Sequence, residues 1–338
     1  MGQAKVNKEI GDANLTSEKT FSQLFTLPGL KEVESRLQEL STGFDAYTPL
    51  FAKFVTGGGK RLRPSLVLLC GSLASAPTEV LIDVACAVEL IHAASLVHDD
   101  IVDHATLRRG LPTISAQWGD HQAVLYGDFL FARAFSLLTK PHLAQILANM
   151  TKAISLMCEG EIKMANQLYN CSLTEKDYYD YIYKKTAFFL SACCLAGTQA
   201  SKNTPPIIGK ALAAFGLQLG YAFQLKDDLL DFTSHTEITG KPALHDLREG
   251  YLTLPVIKLL QHPFYGVQTK KIIAQRDFTD QNLTLIRQNL HESGIIKQLE
   301  NDVRAFTTKA KLALNILPQK PSRVILARLA DYIAQRRH

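Results

Sequence analysis

Two apolar runs in this chain end in the same arrangement of charge, and any fold must accommodate both. One ends in Asp99-Asp100-Ile101-Val102-Asp103, the other in Asp227-Asp228-Leu229-Leu230-Asp231. Each cluster holds three carboxylates in five residues. On a helix the first and last Asp of a cluster share a face. Like charges that close repel, and keeping them near apolar surface is costly. A bound divalent cation removes that cost. Two such clusters, facing each other across a cavity, can hold several metal ions on a polyanionic substrate. The pattern points to chemistry on a phosphate or diphosphate.

The rest of the chain supplies a large core around those charges. Its 338 residues suit one large domain or two smaller ones, and 46% of them are apolar. A net charge of +5 is modest and fits an acidic small substrate. Aromatic residues do not interleave with the basic clusters, so nucleic acid is not expected as a partner. Cys70, Cys86, Cys158, Cys171, Cys193 and Cys194 form no Cys-x-x-Cys pair. They read as buried free thiols in a reducing cytosol. Residues Met1 to Lys19 are polar with no apolar h-region, which argues against a secretory signal. Val6 stands where a myristoylation signal wants Ser or Thr. The least charged stretches, Thr186–Ser201 and Ala211–Leu225, fall short of a membrane span and read as core helices. The expectation is a soluble cytoplasmic protein with no transmembrane segment.

Periodicity is helical almost throughout. Helices are expected over Phe21–Leu40, Val80–Val102, Phe129–Leu138, Ala144–Tyr169, Tyr178–Ala196, Ala211–Phe232 and Pro321–His338. Gly216 and Gly220 lower helix propensity but permit close helix packing. No alternation lasts, and no Asn-Gly or Asp-Gly hairpin signal occurs. Breaks fall at Thr56–Pro64, Arg108–Pro112, Ser201–Pro206, Ser234–Gly250 and His262–Gly266. The predicted fold is all-α: a single-domain helical bundle around a deep central cavity, over residues 21–338. Residues 1–20 are expected to be a flexible N-terminal segment.

Basic residues accompany the acidic ones. Arg108 and Arg109 follow the first cluster, and Lys60, Arg61 and Arg63 sit in Gly57-Gly58-Gly59-Lys60-Arg61-Leu62-Arg63-Pro64. Glycines let backbone approach a ligand closely, and arginine forks suit phosphate oxygens. No Lys-Ser/Thr pair follows, so this is not a P-loop. Carboxylates without Cys or a clear imidazole set favour Mg²⁺ over Zn²⁺. A rival reading starts from His98-Asp99, a dipeptide found in all-α metal phosphohydrolases, with His92 and His104 nearby. It leaves Asp227–Asp231 and Arg108-Arg109 unexplained.

In these motifs the chain resembles the trans-isoprenyl diphosphate synthases, or polyprenyl synthetases, from about Phe21 to the C-terminus. The marks are the Gly-rich segment at 57–64, Glu89-Leu-Ile-His92, Leu96-Val-His-Asp-Asp-Ile-Val-Asp103 and Arg108-Arg109-Gly110-x-Pro112-Thr113. Gly127-Asp128, Gly160-Glu161, Lys185-Thr186, Phe223-Gln224-Leu225-x-Asp227-Asp228-x-x-Asp231, Gly240-Lys241 and Asp246-Leu247 follow in order. The resemblance implies an all-α bundle, usually homodimeric, with a heteromer as the alternative. It implies that Asp99, Asp103, Asp227 and Asp231, supported by Asp100 and Asp228, hold Mg²⁺ on an allylic diphosphate, geranyl or farnesyl. About three ions per site are expected, with Mn²⁺ able to substitute. Arg108, Lys185, Thr186, Gln224 and Lys241 match the allylic diphosphate subsite. Lys60, Arg63, His92 and Arg109 match the pocket for isopentenyl diphosphate. Asp99, Asp103, Arg108, Lys185, Asp227 and Asp231 are the expected catalytic set. One departure is Tyr251, where the family often has Lys; it removes one diphosphate contact.

Product length should depend on the cavity beneath the first cluster. Ser95, Ile91 and Val88 lie below Asp99 on a helix, with Ala94 beside them, and the column runs about 16 Å. Ser95 and Ala94 are small, no aromatic plug stands there, and the first cluster carries no insertion. By resemblance this favours hexaprenyl to nonaprenyl products, precursors of quinone side chains, with peripheral membrane association through the product. Geranylgeranyl or farnesyl diphosphate synthase, the catalytic subunit of a heteromeric synthase, a terpene cyclase and a non-enzymatic partner subunit are the alternatives.

Overall fold

The computed structural model describes residues 27–41, 57, 60–108, 110–233 and 244–336. The expected N-terminal segment 1–20, Arg109 and Lys241 lie outside them. Pro28-Gly29 forms a turn with Gly29 at φ 89°, so the first described helix, α1, spans Leu30–Leu40. Helix α2 (Leu62–Leu73) begins inside the stretch read as a break. Pro64 falls in its first turn, where a missing N–H leaves no intrahelical bond unmade. Helix α3 (Thr78–Val102) carries the first Asp cluster at its C-terminal end.

A two-residue hairpin follows, and the sequence reading missed it. Strands β1 (Leu107–Arg108) and β2 (Leu111–Pro112) pair antiparallel around Gly110, which takes φ 74°. In the sequence Gly110 follows Arg109, and Arg-Gly is outside the dipeptides that usually announce a hairpin. Helices α4 (Ile114–Trp118), α5 (Asp120–Leu138) and α6 (Ala144–Ala165) come next. Helix α7 (Glu175–Ile182) opens on a capping box between Thr174 and Asp177. A π-helical turn, Tyr183–Ala187, joins it to α8 (Phe188–Gln199). Helix α9 (Pro206–Thr233) holds the second cluster in its last turns. Helices α10 (His245–Arg248), α11 (Leu254–Leu260), α12 (Gly266–Gln275), α13 (Asp280–Glu292), α14 (Ile295–Ala313) and α15 (Pro321–Gln335) complete the bundle.

The two cluster-bearing helices are the central ones. α3 packs against α1, α2 and α5, and α9 against α8, α14 and α15. Val84, Ala85, Val88, Leu90, Ile91 and Ala94 on α3 are fully buried on several sides, as in a helix that is apolar all round. Both helices are long and apolar enough to cross a membrane by length and composition, which the shorter stretches judged from the sequence were not. Here most of α3's apolar window and about two-fifths of α9's are buried in the structure, and carboxylates stand at the end of each. Of the six free cysteines, Cys70, Cys86, Cys193 and Cys194 are buried as expected, but Cys158 on α6 is exposed.

The close packing expected of Gly216 and Gly220 is realised against α8 and the π turn. A Cβ on Gly216 would lie 2.6 Å from the Leu190 carbonyl oxygen, and one on Gly220 2.4 Å from Ala187 Cα. Both obstacles are backbone and cannot rotate away. Gly220→Ala should therefore cost ~1–3 kcal/mol in urea unfolding, the range for overpacking a tight core. Wild-type stability in that variant would show that α9 can separate from the π turn freely.

Candidate active site

The first cluster straddles a helix end. Asp103 is the C-cap of α3, and its N–H donates to the Asp99 carbonyl at 2.8 Å. Carbonyls at this end carry partial negative charge, which adds to that of the carboxylates and favours a cation. Asp103 is exposed and Asp99 half-buried, while Asp100 is buried. Arg108 on β1 forks onto Asp100: Nε and Nη2 each lie 2.6 Å from Oδ1. The hairpin thus returns a cation to the only fully buried carboxylate of this cluster. Burial most of all, with Glu161 and Asp103 adding to it, pushes the Asp99 carboxyl up to about 6, against Lys185 and Arg108.

In the second cluster the middle Asp is again buried. Asp228 Oδ2 accepts from the Tyr178 hydroxyl at 2.5 Å, and Oδ1 from Gln224 Nε2 at 2.9 Å. Gln224 Oε1 in turn accepts from the Thr186 hydroxyl at 2.7 Å. So Thr186, Gln224 and Asp228, grouped by the sequence, form one chain of hydrogen bonds. Burial first of all pushes the Asp228 carboxyl up to about 7, although the bonds from Tyr178 and Gln224 pull it down. Asp227 is also raised by burial and pulled back by Arg336, whose guanidinium it binds. Arg336 further donates to the Phe223 carbonyl at 3.1 Å and sits 4.4 Å from the Phe223 ring centroid. Asp231 is half-buried.

Lys185 acts on the first cluster. Its Nζ lies 2.8 Å from Glu161 and 2.8 Å from the Tyr181 hydroxyl, which donates to the same Glu161 at 3.1 Å. Burial works against its charge, but Tyr181, Glu161 and Asp99 outweigh it, so its pKa rises and it stays a cation. Tyr251 lies within electrostatic reach of Asp103, Glu161, Lys185 and Asp246, and burial with these carboxylates lifts its phenol to about 12. Asp246 also acts on Asp227 and Asp228. Asp246 thus acts on both residues of the second cluster and on Tyr251, which in turn feels Asp103 of the first, so the two clusters lie within electrostatic reach of shared neighbours. Tyr251 remains a neutral hydrogen-bond donor there.

Lys60 is exposed, with Nζ 3.3 Å from the Tyr332 hydroxyl, and acts electrostatically on Asp227. Arg63 stacks over Phe189, 5.3 Å from its centroid, and His92 is half-buried on α3 two turns before Asp99. Ser95 is half-buried and donates to the His92 carbonyl at 2.9 Å, whereas Ala94, Ile91 and Val88 are fully buried. His98 is committed elsewhere. Its Nε2 lies 3.2 Å from the Val124 carbonyl oxygen, and its ring fills the space a Gly127 side chain would need. This removes the main support for an imidazole metal site. The sequence reading did not assign Tyr178, Tyr181, Glu161, Tyr332 or Arg336 to the site. Tyr181 stands four residues before Lys185, a helical spacing that could have been noticed. Arg336, 109 residues from Asp227, left no local signal.

Among the described residues no three His, Cys, Asp or Glu side chains converge on one point. A Mg²⁺ ion generally takes one or two carboxylates and completes its shell with water and substrate phosphate. By the family resemblance, Asp99, Asp103, Asp227 and Asp231 are the carboxylates that could hold such ions. Asp100, Asp227 and Asp228 are already engaged by protein donors. A raised carboxyl pKa means that the folded chain keeps a proton where the unfolded chain has lost it. The stability this lends from Asp228 is full below about pH 4 and is lost as pH rises through about 7. In EDTA, Asp228→Asn should therefore gain in melting temperature relative to wild type between about pH 5 and about pH 8. A constant difference would place Asp228 at an ordinary carboxylate pKa.

Comparisons with known proteins agree with this geometry. The polyprenyl synthetase family profile matches residues 45–292. Over 280 residues the chain is 36% identical to heptaprenyl diphosphate synthase component 2 of Bacillus subtilis, covering 83% of this chain and 80% of that one. Over 303 residues it is 33% identical to the octaprenyl diphosphate synthase of Escherichia coli, covering 89% and 93%. The crystal structure of a polyprenyl synthase from Caulobacter crescentus, complexed with calcium and isoprenyl diphosphate, superposes with a TM-score of 0.87 at 32% identity. The match covers 96% of this chain and 98% of that one. The chain belongs to the polyprenyl synthetase family and is a prenyltransferase.

Proposed function

We propose that the chain is an all-trans polyprenyl diphosphate synthase that adds isopentenyl diphosphate repeatedly to an allylic diphosphate, geranyl or farnesyl. What supports this is the pair of carboxylate clusters on α3 and α9, with Arg108 on Asp100, Lys185 acting on Asp99, and the Thr186–Gln224 pair on Asp228. Bound Mg²⁺, or Mn²⁺ in its place, supplies positive charge against the diphosphate oxygens. Asp99, Asp103, Asp227 and Asp231 would hold it. Lys185 keeps a fixed cation at the cleft, and Arg108 presents a fork to the allylic diphosphate. As the allylic C–O bond breaks, its electron pair leaves with the diphosphate. The double bond of isopentenyl diphosphate attacks the allylic carbon, and a proton is lost to the released diphosphate. The protein's part is to position two substrates and exclude water. Lys60, Arg63, His92 and Arg109 form the isopentenyl diphosphate pocket, and Lys241 belongs to the allylic one.

Long products, roughly C30 to C45, are supported by the small residues Ala94 and Ser95 on α3, which set no aromatic plug below Asp99. The names of the heptaprenyl and octaprenyl relatives support the same range. Such products serve as quinone side-chain precursors, made by a cytoplasmic enzyme that meets the membrane through its product. A homodimer fits the exposed apolar pair Val124 and Leu125 on α5. A heteromer is the second reading, favoured by the component 2 relative.

Purified chain with Mg²⁺, farnesyl diphosphate and isopentenyl diphosphate should release diphosphate and lengthen the tail. No product with either primer rejects a self-sufficient enzyme, and activity restored by a second component selects the heteromer. Asp99→Ala and Asp227→Ala should each cost ~3 kcal/mol of transition-state stabilisation, roughly 100-fold in rate, with circular dichroism unchanged. Near-wild-type turnover in either variant contradicts the metal assignment. Ser95→Phe should shorten the product on chromatography against prenyl standards, since Ser95 is half-buried and a rigid ring on that face of α3 narrows the path of a tail growing along it. A folded variant with unchanged product lengths would mean that the tail runs elsewhere.

A further inference from the structure

The Gly-rich segment carries three cations, and the middle one behaves differently. Lys60 is exposed and Arg63 half-buried, but Arg61 is only 4% exposed. Its Nε lies 2.5 Å from Glu34 Oε1 and its Nη2 3.0 Å from Glu34 Oε2, on α1. Its Nη1 lies 2.7 Å from Glu89 Oε1, on α3. One guanidinium therefore joins three segments that are distant in sequence. Burial works against its charge, and the two carboxylates more than offset that. Its backbone is left-handed, φ 46° and ψ 35°, a conformation unfavourable for a residue with a Cβ.

Buried ion clusters are weak devices for stability, because apolar residues of similar volume do as well. They are strong devices for geometry. Glu89 stands three residues before His92, one turn along the same face of α3. Lys60 and Arg63 flank Arg61 on the other arm. We propose that Arg61 is a positioning residue: by clamping the Gly-rich segment to α3 through Glu89 and to α1 through Glu34, it sets the spacing between Lys60, Arg63 and His92, and so the fit of isopentenyl diphosphate. This rests on the assignment of those three residues to the isopentenyl diphosphate pocket. Lysine cannot replace Arg61, because an ammonium lacks the planar fork that reaches carboxylates on two helices at once.

The test varies each substrate separately. Arg61→Lys should raise KM for isopentenyl diphosphate about tenfold to 100-fold, the scale of a small misplacement of binding groups. KM for the allylic primer should stay within about twofold. Glu34→Gln, which alters only the half-exposed partner, should raise the same KM by less; it serves if Arg61→Lys does not fold by circular dichroism. Arg63→Ala reports on the pocket itself. If Arg63→Ala raises KM for isopentenyl diphosphate while folded Arg61→Lys and Glu34→Gln do not, the positioning role falls and the pocket stands. If Arg63→Ala leaves that KM unchanged, the pocket assignment falls and the inference with it. Equal rises in both KM values, or a loss confined to kcat, would mean general loosening and overturn the positioning role.

Discussion

Carboxylates at the C-terminal ends of two buried apolar helices are the constraint on which the rest of this structure turns. Each helix end already carries partial negative charge from its last carbonyls, and three Asp side chains add to it. Burial raises the cost further, as the raised pKa values of Asp99, Asp227 and Asp228 record. The protein answers with donors from distant segments. The hairpin brings Arg108 to Asp100, α7 brings Tyr178 to Asp228, and the residue after α15 brings Arg336 to Asp227. The middle carboxylate of each cluster and the outer Asp227 thus each receive a donor from a segment distant in sequence.

The π turn between α7 and α8 serves the same end. A π turn is wider than an α turn and is often found at functional sites. This one carries Lys185 and Thr186, which bond to Glu161 on α6 and Gln224 on α9 respectively. Gly216 and Gly220 let α9 approach the π turn to backbone contact, so Thr186 reaches Gln224 at hydrogen-bond distance. A larger residue at either glycine would act on the chemistry through this spacing as well as on the packing.

Tyr251 shows how one neutral side chain changes the balance of the cleft. Asp103, Glu161 and Asp246 all act on it, against Lys185 alone on the positive side. A lysine here would offset part of that charge; a phenol held protonated does not. The cleft is left more negative, and its dependence on bound divalent cations correspondingly greater.

Much of this was legible in the sequence, for a physical reason. Helical periodicity and the absence of strand alternation determined the all-α class, because each reflects which side chains must leave water. The spacing of Asp99 and Asp103, and of Asp227 and Asp231, pointed to a polyanionic substrate, because short-range spacing on a helix is itself geometry, whereas Lys185 and Thr186 entered only through the family resemblance. The hairpin escaped because Arg-Gly is a weak turn signal. Only the tertiary structure decided which carboxylates are spoken for. Arg336 binds Asp227 across 109 residues, and Arg61 binds Glu34 and Glu89 across 27 and 28. Pairings at that separation depend on how the helices pack, and they leave no periodic trace in the chain.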